Sequence, residues 1–522
     1  MAFPQINQMG EVLSTALMTH ECVLANTTSF ARGPSNIQVR FNLIGGPMRE
    51  KSARIARRVF YSLLALPASL LAQTPTRVRE IDGLMTTLYE RGQFNGSIIV
   101  AVGGKAIYRK GFGYADLRSR RPFTPATISN IGSVAKQFTA MAVMMLAEQH
   151  KLKYDDPVSK FIPELSATLS GVTLRHLLNH TSGIPDVGDL GIDHPRLTND
   201  EVLRRLSKPG FLVSRPGEKY RYSNANYVLL AVIVERISGE HFADFLAEHI
   251  FRPCGMHSTF VYDGSPLDAR LVATGYDQFG NRAGDDALMT GSSGMYSTVD
   301  DLLKWDQSLY TDRLVRQSTL ADAFAAGHVA EGASTYGFAW NIDYQDGHKF
   351  VWHQGATGGY RALIERRLYE KTTILILTNK GNSKRLEIAD AIMNILGGKP
   401  YTFPKRSIAA TMYGLIRQGE LPVAVKTYQL ARAGRDTTYD LSEPELNSLG
   451  YQLLAGDHKT SDAIEIFKLN TVAYPASSNA FDSLAEAYEV NGNKELAIRN
   501  YRKAVALDPT NLHAVDMLKK LK

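Results

Sequence analysis

The sequence predicts an α+β domain, with an antiparallel sheet flanked by helices plus a helical subdomain, followed by a separate all-α domain. Strand-like segments lie at two distant places, near residue 100 and between residues 350 and 378, and helical segments fill the chain between them. Strands so far apart are expected to share one sheet when helices connect them. A 34-residue repeat after residue 406 predicts the second domain.

Composition excludes two classes of protein. Of the 522 residues, 44% are hydrophobic and 21% are charged, and no apolar run reaches the roughly 20 residues of a membrane-spanning helix. We therefore do not expect the chain to be an integral membrane protein. The net charge is +7, but residues 1–72 contribute seven Lys/Arg and three Asp/Glu, so the remainder carries +3. So small a surplus gives no support to nucleic-acid binding.

A basic stretch that begins after Met48 precedes an apolar run, Val59–Ala72, which ends in small residues. This order is typical of a secretory signal peptide. We therefore expect residues 48–72 to be a leader, translation to start at Met48, and the protein to be exported to the periplasm or the medium. Residues 1–47 are then an uncertain leader. A buried or amphipathic helix is the alternative, which Pro67 disfavours.

The elements of the first domain follow from local patterns. Gly96–Val102 and Lys105–Tyr108 have strand composition and flank two glycines, which is typical of a β-hairpin. Lys136–Gln149 contains no Gly or Pro and is expected to be helical. The other expected elements are a helix at Asn226–Ile237, strands at Phe350–His353, Tyr360–Leu368 and Thr372–Thr378, and a closing helix at Arg385–Leu396.

Repeats mark the second domain. Ala463, Phe467 and Pro475 are matched 34 residues later by Ala497, Tyr501 and Pro509, and the first copy has one extra residue, placed in its inter-helix turn. The spacing resembles the tetratricopeptide repeat, which needs small residues where two helices touch. We expect the first domain at 76–397, a linker at 398–406 and repeats at 407–522, with a degenerate copy at 414–431.

Ser133-Val-Ala-Lys136 stands where a loop enters the first long helix. A spacing of three on a helix places the hydroxyl and the ammonium on one face. A serine at the start of a helix also has its own N–H and the positive end of the helix dipole beside any oxyanion that forms. Alone, this four-residue pattern is weak, because a capping serine and a solvated lysine produce it by chance.

Two further motifs favour a catalytic role for Ser133 and Lys136 over a chance occurrence of the pattern. They are Tyr222-Ser-Asn224 and His353-Gln-Gly355. With Ser133-x-x-Lys136 they resemble, in type and in order, the three motifs of the serine β-lactamase-related family, in the branch of class C β-lactamases, D-alanyl-D-alanine peptidases and esterases. The likeness covers about residues 80–395 and includes Leu177–Pro185 and Gly291–Ser297.

The resemblance implies a role for each residue. Ser133 would attack an acyl carbonyl, and Lys136 and Tyr222 would share its proton, with the identity of the base left open. Asn224 would hold the substrate amide and Lys136, and the Ala356 N–H would join that of Ser133 in an oxyanion hole.

On the last motif strand, His353 and Gly355 would border the substrate. Lactamases of this branch usually carry lysine at the position of His353, so the family's permanent cation is replaced by a group that ordinarily titrates near about 6.5. The departure disfavours a β-lactamase, because the carboxylate of penicillin needs a cation there, and it fits the peptidases and esterases of the family.

Metal and cofactor chemistry receives no support from the sequence. His176 and His180 have the spacing of zinc ligands on a helix, but no Glu follows His176, so we expect structural roles for both. A phosphate loop and a dinucleotide fingerprint are absent from the sequence. We expect no cofactor and no metal.

The sequence thus predicts a serine hydrolase that acts through an acyl-enzyme on a D-amino-acid peptide, an ester or an amide. A β-lactamase is the alternative within the enzyme class. A scaffold protein whose repeats bind a partner is the alternative outside it. The repeats would either recruit a peptide on their concave face or pack against the hydrolase and shape its entrance.

Overall fold

The computed structural model describes residues 29–32, 37–40, 75–191, 197–208, 210, 212–284, 288–325, 327 and 335–521. The chain divides into two units, Met1–Pro75 and Thr76–Lys522. In the first unit, Ser29–Arg32 pairs antiparallel with Ile37–Arg40. The expected signal peptide at 48–72 lies outside the described residues. Across the described part of the chain, every helix is too short or too polar to cross a membrane.

A seven-stranded antiparallel sheet forms the centre of the second unit. Its strands are β1 (Gly96–Val102), β2 (Lys105–Phe112), β3 (Thr335–Tyr336), β4 (Asn341–Gln345), β5 (His348–Thr357), β6 (Tyr360–Arg367) and β7 (Thr372–Thr378). Their order is β3-β4-β5-β6-β7-β1-β2. Thr378 of β7 pairs with Gly96 of β1, so the predicted pairing of distant strands is confirmed. Gly103 and Gly104 turn the first hairpin with positive φ, as expected.

Helices cover both faces of the sheet. A helix over residues 75–90 and the closing helix Arg385–Gly397 bury one face, and the helices between β2 and β3 bury the other. The long helices Lys136–Glu148 and Asn224–Ser238 are buried over most of their length. The shorter helices on that side are Leu174–Leu178, Asn199–Leu206, Phe242–Leu246, Arg252–Cys254, Val299–Ser308 and Gln317–Ala323.

The remainder of the unit is helical, as expected, apart from a short parallel pairing of Arg406–Ser407 with Tyr439–Asp440. Its helices are Ile408–Ile416, Leu421–Ala433, Glu443–Tyr451, Thr460–Ala473, Ser478–Val490, Lys494–Leu507 and Leu512–Leu521. The helices that start at Thr460 and Lys494 lie 34 residues apart, as do those that start at Ser478 and Leu512. The periodic helices match the predicted spacing, and their assignment as tetratricopeptide repeats stays a prediction.

The extra residue of the first repeat lies inside a helix and not in the inter-helix turn where the sequence placed it. Gln452–Gly456 forms a π-helical turn, which takes up one residue more than an α-helical turn. The turns at 457–459 and 491–493 then have the same length. Close packing explains Gly450 in the same repeat, since a Cβ there would lie 2.4 Å from the Phe467 ring.

The helical region packs against the hydrolase region. The Phe279 ring on a loop of the hydrolase lies 4.8 Å from the Tyr413 ring of the helical region. Lys384 pairs with Asp440 at 3.1 Å, and Gln93 Nε2 donates to the Pro404 carbonyl at 2.7 Å. The repeats thus pack on the hydrolase, as one of the two expected arrangements requires, whereas shaping of its entrance and recruitment of a peptide stay predictions.

Candidate active site

Ser133 lies in a tight turn at the head of a buried helix, where the sequence placed it. The 3₁₀ turn Gly132–Ala135 runs directly into the helix Lys136–Glu148. Gly132 has a φ of +50°, and its N–H donates to Asn130 Oδ1 at 2.8 Å. This turn leaves the Ser133 side chain partly exposed, while Val134 and the following residues are buried.

Lys136 is fully buried and makes three polar contacts. Its Nζ lies 3.0 Å from Ser133 Oγ and 2.8 Å from Asn224 Oδ1. A third contact joins Nζ to the Ser292 carbonyl at 2.8 Å. Burial lowers the pKa of Lys136 to about 7, against an opposing attraction from Asp186. The amine therefore changes charge near neutral pH.

The three contacts suit both protonation states of the amine. The ammonium can donate one hydrogen to each of the three oxygens, and the neutral amine can satisfy the same neighbours in another way. A neutral amine has two N–H donors and one lone pair, and both the Asn224 amide oxygen and the Ser292 carbonyl oxygen can act only as acceptors. When these two oxygens take the two hydrogens, the lone pair is left for the remaining contact, the hydroxyl of Ser133. In this state Lys136 can receive the serine proton.

Tyr222 faces the same group from the segment before the helix Asn224–Ser238. Lys136 Nζ lies 4.8 Å from the centre of the Tyr222 ring. Burial raises the pKa of the Tyr222 phenol well above its usual value, and a hydrogen bond with the Ser133 side chain opposes this in part. The phenol therefore keeps its proton at neutral pH. The sequence left open which group is the base, and the pKa directions favour Lys136.

Asp186 holds Asn224 in place and was missed by the sequence argument. The backbone N–H of Asn224 donates to Asp186 Oδ1 at 2.6 Å, and Asn224 Nδ2 donates to Oδ2 at 3.2 Å. These bonds leave Asn224 Oδ1 to accept from Lys136. The segment Leu177–Pro185, which carries the family resemblance, ends one residue before Asp186, so extending it by one residue would have found this group.

The sequence analysis included Ser292 in the family-like segment Gly291–Ser297 but did not predict its contact with Lys136. Thr139 Oγ1 on the nucleophile helix donates to the Gly291 carbonyl at 2.7 Å. A Cβ on Gly291 would lie 2.3 Å from the Tyr227 carbonyl. The glycine thus lets the segment pass between two helices, which brings the Ser292 carbonyl to Lys136.

His353 is a neutral, enclosed ring, so the expectation that it titrates near 6.5 is wrong. Its side chain is 3% exposed. Burial, reinforced by the charge of Lys136, lowers its pKa to about 3. Nδ1 lies 2.8 Å from the Gln354 carbonyl, and Nε2 lies 2.9 Å from Tyr336 Oη. These partners fit a ring protonated on Nδ1 that accepts from the Tyr336 hydroxyl.

Gly355 and Ala356 lie against the nucleophile turn. Pairing of β5 with β4 ends at Trp352, so the next residues of β5 have β6 on one side and the turn on the other. A Cβ on Gly355 would lie 1.9 Å from the Ile131 carbonyl and 3.2 Å from Ser133 N, and one on Gly132 would lie 2.7 Å from Ala356 N. The two amides expected to form an oxyanion hole border the same narrow space.

The two histidines that were considered for zinc lie in different environments. His176 Nδ1 accepts from the Thr173 N–H at 3.2 Å as part of a helix cap. His180 follows that helix in the left-handed conformation, with φ +59°. Its ring packs 4.4 Å from that of Tyr222, and its Nδ1 lies 3.0 Å from Asn226 Nδ2. His180 therefore positions Tyr222, a role that the sequence gave no sign of.

The fold and this group of residues define a serine hydrolase of the acyl-enzyme type. A family model described as Beta-lactamase matches residues 80–397, and the chain belongs to that family. It is similar to penicillin-binding protein 4* of Bacillus subtilis (strain 168), with 32% identity over 353 residues, which are 63% of this chain and 78% of that protein.

Two further relatives extend the comparison. The D-aminopeptidase of Gluconobacter oxydans (strain 621H) is 27% identical over 372 residues, which are 67% of this chain and 68% of the relative. Among solved structures, the octameric penicillin-binding protein homologue from Pyrococcus abyssi aligns with a TM-score of 0.57 and 30% identity. That alignment covers 62% of this chain and 78% of the homologue.

The contact between β5 and the nucleophile turn gives a testable prediction. Gly355→Ala places a methyl group against the Ile131 carbonyl, so β5 must move away from Ser133. We expect kcat to fall about 10²- to 10³-fold, the effect of losing one oxyanion donor. Gly83→Ala is the matched control, because a Cβ there has nothing within 4 Å. Equal ester hydrolysis by the two variants would contradict the prediction.

Proposed function

We propose that the protein hydrolyses a D-amino-acid peptide, an amide or an ester through an acyl-Ser133 intermediate, with Lys136 as the general base. The observation that carries the proposal is the buried Lys136 amine, which has a pKa of about 7 and lies 3.0 Å from the Ser133 hydroxyl. A base of this pKa is partly neutral at physiological pH and can also return the proton, as efficient acid–base catalysis requires.

The reaction follows from this arrangement in two halves. As Ser133 Oγ bonds to the substrate carbonyl carbon, its proton passes to Lys136, and the new oxyanion is stabilised by the N–H groups of Ser133 and Ala356. The bond to the leaving amine or alcohol then breaks, and the leaving group takes that proton through the Tyr222 phenol. Water repeats the sequence on the acyl-enzyme, releasing the acid and restoring Ser133.

The neutral environment of His353 supports a peptidase, amidase or esterase over a β-lactamase. The carboxylate of a penicillin needs a cation beside the last motif strand, and a ring with a pKa of about 3 is uncharged at neutral pH. The relatives named penicillin-binding protein 4* and D-aminopeptidase support a peptide or amide substrate. β-Lactam hydrolysis remains the alternative within this class.

The alternative outside the enzyme class is a scaffold protein whose hydrolase region has lost its activity. The polar network argues against it, because a buried lysine that met only apolar neighbours would be strongly destabilising. Here Lys136 is matched by Ser133, Asn224 and Ser292, and Asn224 is matched in turn by Asp186. So complete a set of partners supports a working site.

We also propose that the protein is exported, with residues 48–72 as its signal peptide, 76–397 as the hydrolase domain, 398–406 as the linker and 407–522 as the repeat domain. The basic, apolar and small-residue segments of the leader support export. The measurement is N-terminal sequencing of the protein expressed in a bacterial host. We expect a periplasmic or secreted form that starts near Gln73, and a cytoplasmic form with an intact leader would refute export.

Covalent labelling tests the proposed chemistry. Fluorescent fluorophosphonate or fluorescent penicillin should label the protein, and Ser133→Ala should lose the label while keeping its thermal stability. Ser119→Ala is a control that removes an exposed hydroxyl elsewhere. Unchanged labelling of Ser133→Ala, or no labelling of the wild type by either probe, would refute the acyl-enzyme.

Steady-state rates on a D-Ala-D-Ala peptide, a p-nitrophenyl ester and nitrocefin rank the substrates, with nitrocefin expected to be slowest.

A further inference from the structure

A cavity of about 250 Å³ lies where the hydrolase region meets the helical region, and it contains none of the residues of the Ser133 site. Three segments form its walls: residues 88–93 at the end of the first helix, residues 380–388 after β7, and residues 404–411 at the entry to the helical region. The cavity therefore exists because the two regions pack together. Its size suits a molecule smaller than a typical drug.

The charge of the walls is strongly one-sided. Among the described lining residues, five are cationic and none is Asp or Glu, while the carboxylate of Glu445 accepts a hydrogen bond from the hydroxyl of the lining residue Ser407; the five are Arg91, Lys380, Lys384, Lys405 and Arg406. Lys384 is paired with Asp440. In contrast, Lys380 and Lys405 form no salt bridge within the described residues. A surface this rich in cations attracts anions.

Lys380 is the least solvated of these charges. Burial lowers the pKa of its amine, and attraction to Asp277 opposes that effect in part. A largely desolvated ammonium is stabilised further by a partner that neutralises it at close range. An anion in the cavity would supply that partner.

The cavity also offers acceptors that lack donors. Gln93 Oε1 and Asn382 Oδ1 are buried and have no hydrogen-bond partner in the part of the chain that the structure describes, and both residues line the cavity. The orientation of Gln93 is fixed, because its Nε2 donates to the Pro404 carbonyl. Buried amide oxygens normally accept a hydrogen bond, so an occupant that matches this cavity carries donors as well as negative charge.

We propose that this cavity binds a small organic anion, with its carboxylate or phosphate group held by Lys380 and Lys405 and its hydroxyl or N–H groups facing Gln93 and Asn382. Because the walls come from both regions, the bound anion holds the helical region against the hydrolase. The site is separate from the acyl-enzyme site and does not depend on the proposed function.

Calorimetric titration of the full-length protein at low ionic strength tests the proposal, with citrate as the carboxylate probe and glucose 6-phosphate as the phosphate probe. We expect at least one of them to bind with a Kd below about 1 mM. Binding of one probe alone identifies the group that the site takes. In the double variant Lys380→Gln, Lys405→Gln, we expect affinity to fall at least about tenfold, because both charged hydrogen bonds are lost.

A matched control separates a site from general surface attraction. The double variant Lys105→Gln, Lys371→Gln removes the same charge from two exposed lysines outside the cavity, and its affinity should equal that of the wild type. Absence of binding by both probes at 10 mM would overturn the proposal. So would equal losses in the two double variants. Circular dichroism and ester hydrolysis, neither of which depends on these lysines, verify that each variant is folded.

Discussion

The site depends on one buried amine. Lys136 lies inside the protein beside a serine hydroxyl, an amide oxygen and a backbone carbonyl. A pKa of about 7 in place of 10.5 means that the site disfavours the charged amine by roughly 5 kcal/mol. That is comparable to the whole stability of a small domain, so the surroundings of Lys136 must be built to keep the neutral form well bonded.

The neighbouring residues follow from this constraint. A second cation close by would destabilise the charged amine further, and His353 is accordingly a neutral ring, bonded to Tyr336 and to the backbone. Tyr222 keeps its proton. Asp186, which also accepts a hydrogen bond from Asn224, supplies an opposing negative charge that attracts the Lys136 ammonium. Neither Tyr222 nor His353 then exchanges a proton with its surroundings in the pH range where Lys136 changes charge.

The sequence predicted what local patterns and short motifs encode. The hairpin of β1 and β2, the helix at Lys136 and the pairing of distant strands have signals of periodicity, composition and order, and each was confirmed. The charge state of His353 could not be read in this way, because it depends on burial created by segments far apart in the chain. For Tyr336 the sequence gave no sign at all, since its role rests on contacts with residues distant in the chain, His353 through its hydroxyl and His180 and Tyr222 through its ring.

The helical region likewise has features that the sequence predicted and features that it could not predict. Its period was visible as repeated small and aromatic residues, whereas the packing of Tyr413 on Phe279 and the cationic cavity beside it arise where the two regions meet. Contacts between regions involve residues with no common spacing, so a sequence pattern cannot indicate them. The helical region is thereby a structural neighbour of the hydrolase.

The state of the Lys136 amine is the most direct test. In protein labelled with ¹³C at lysine Cε, the Lys136 signal can be assigned by its loss in Lys136→Arg and followed from pH 5 to pH 11. Since neutral amine accumulates as the pH rises through the pKa, we expect a midpoint near about 7, well below the roughly 10.4 of an ordinary lysine. A midpoint at or above about 10 would show that Lys136 stays charged at neutral pH, which contradicts its role as the base.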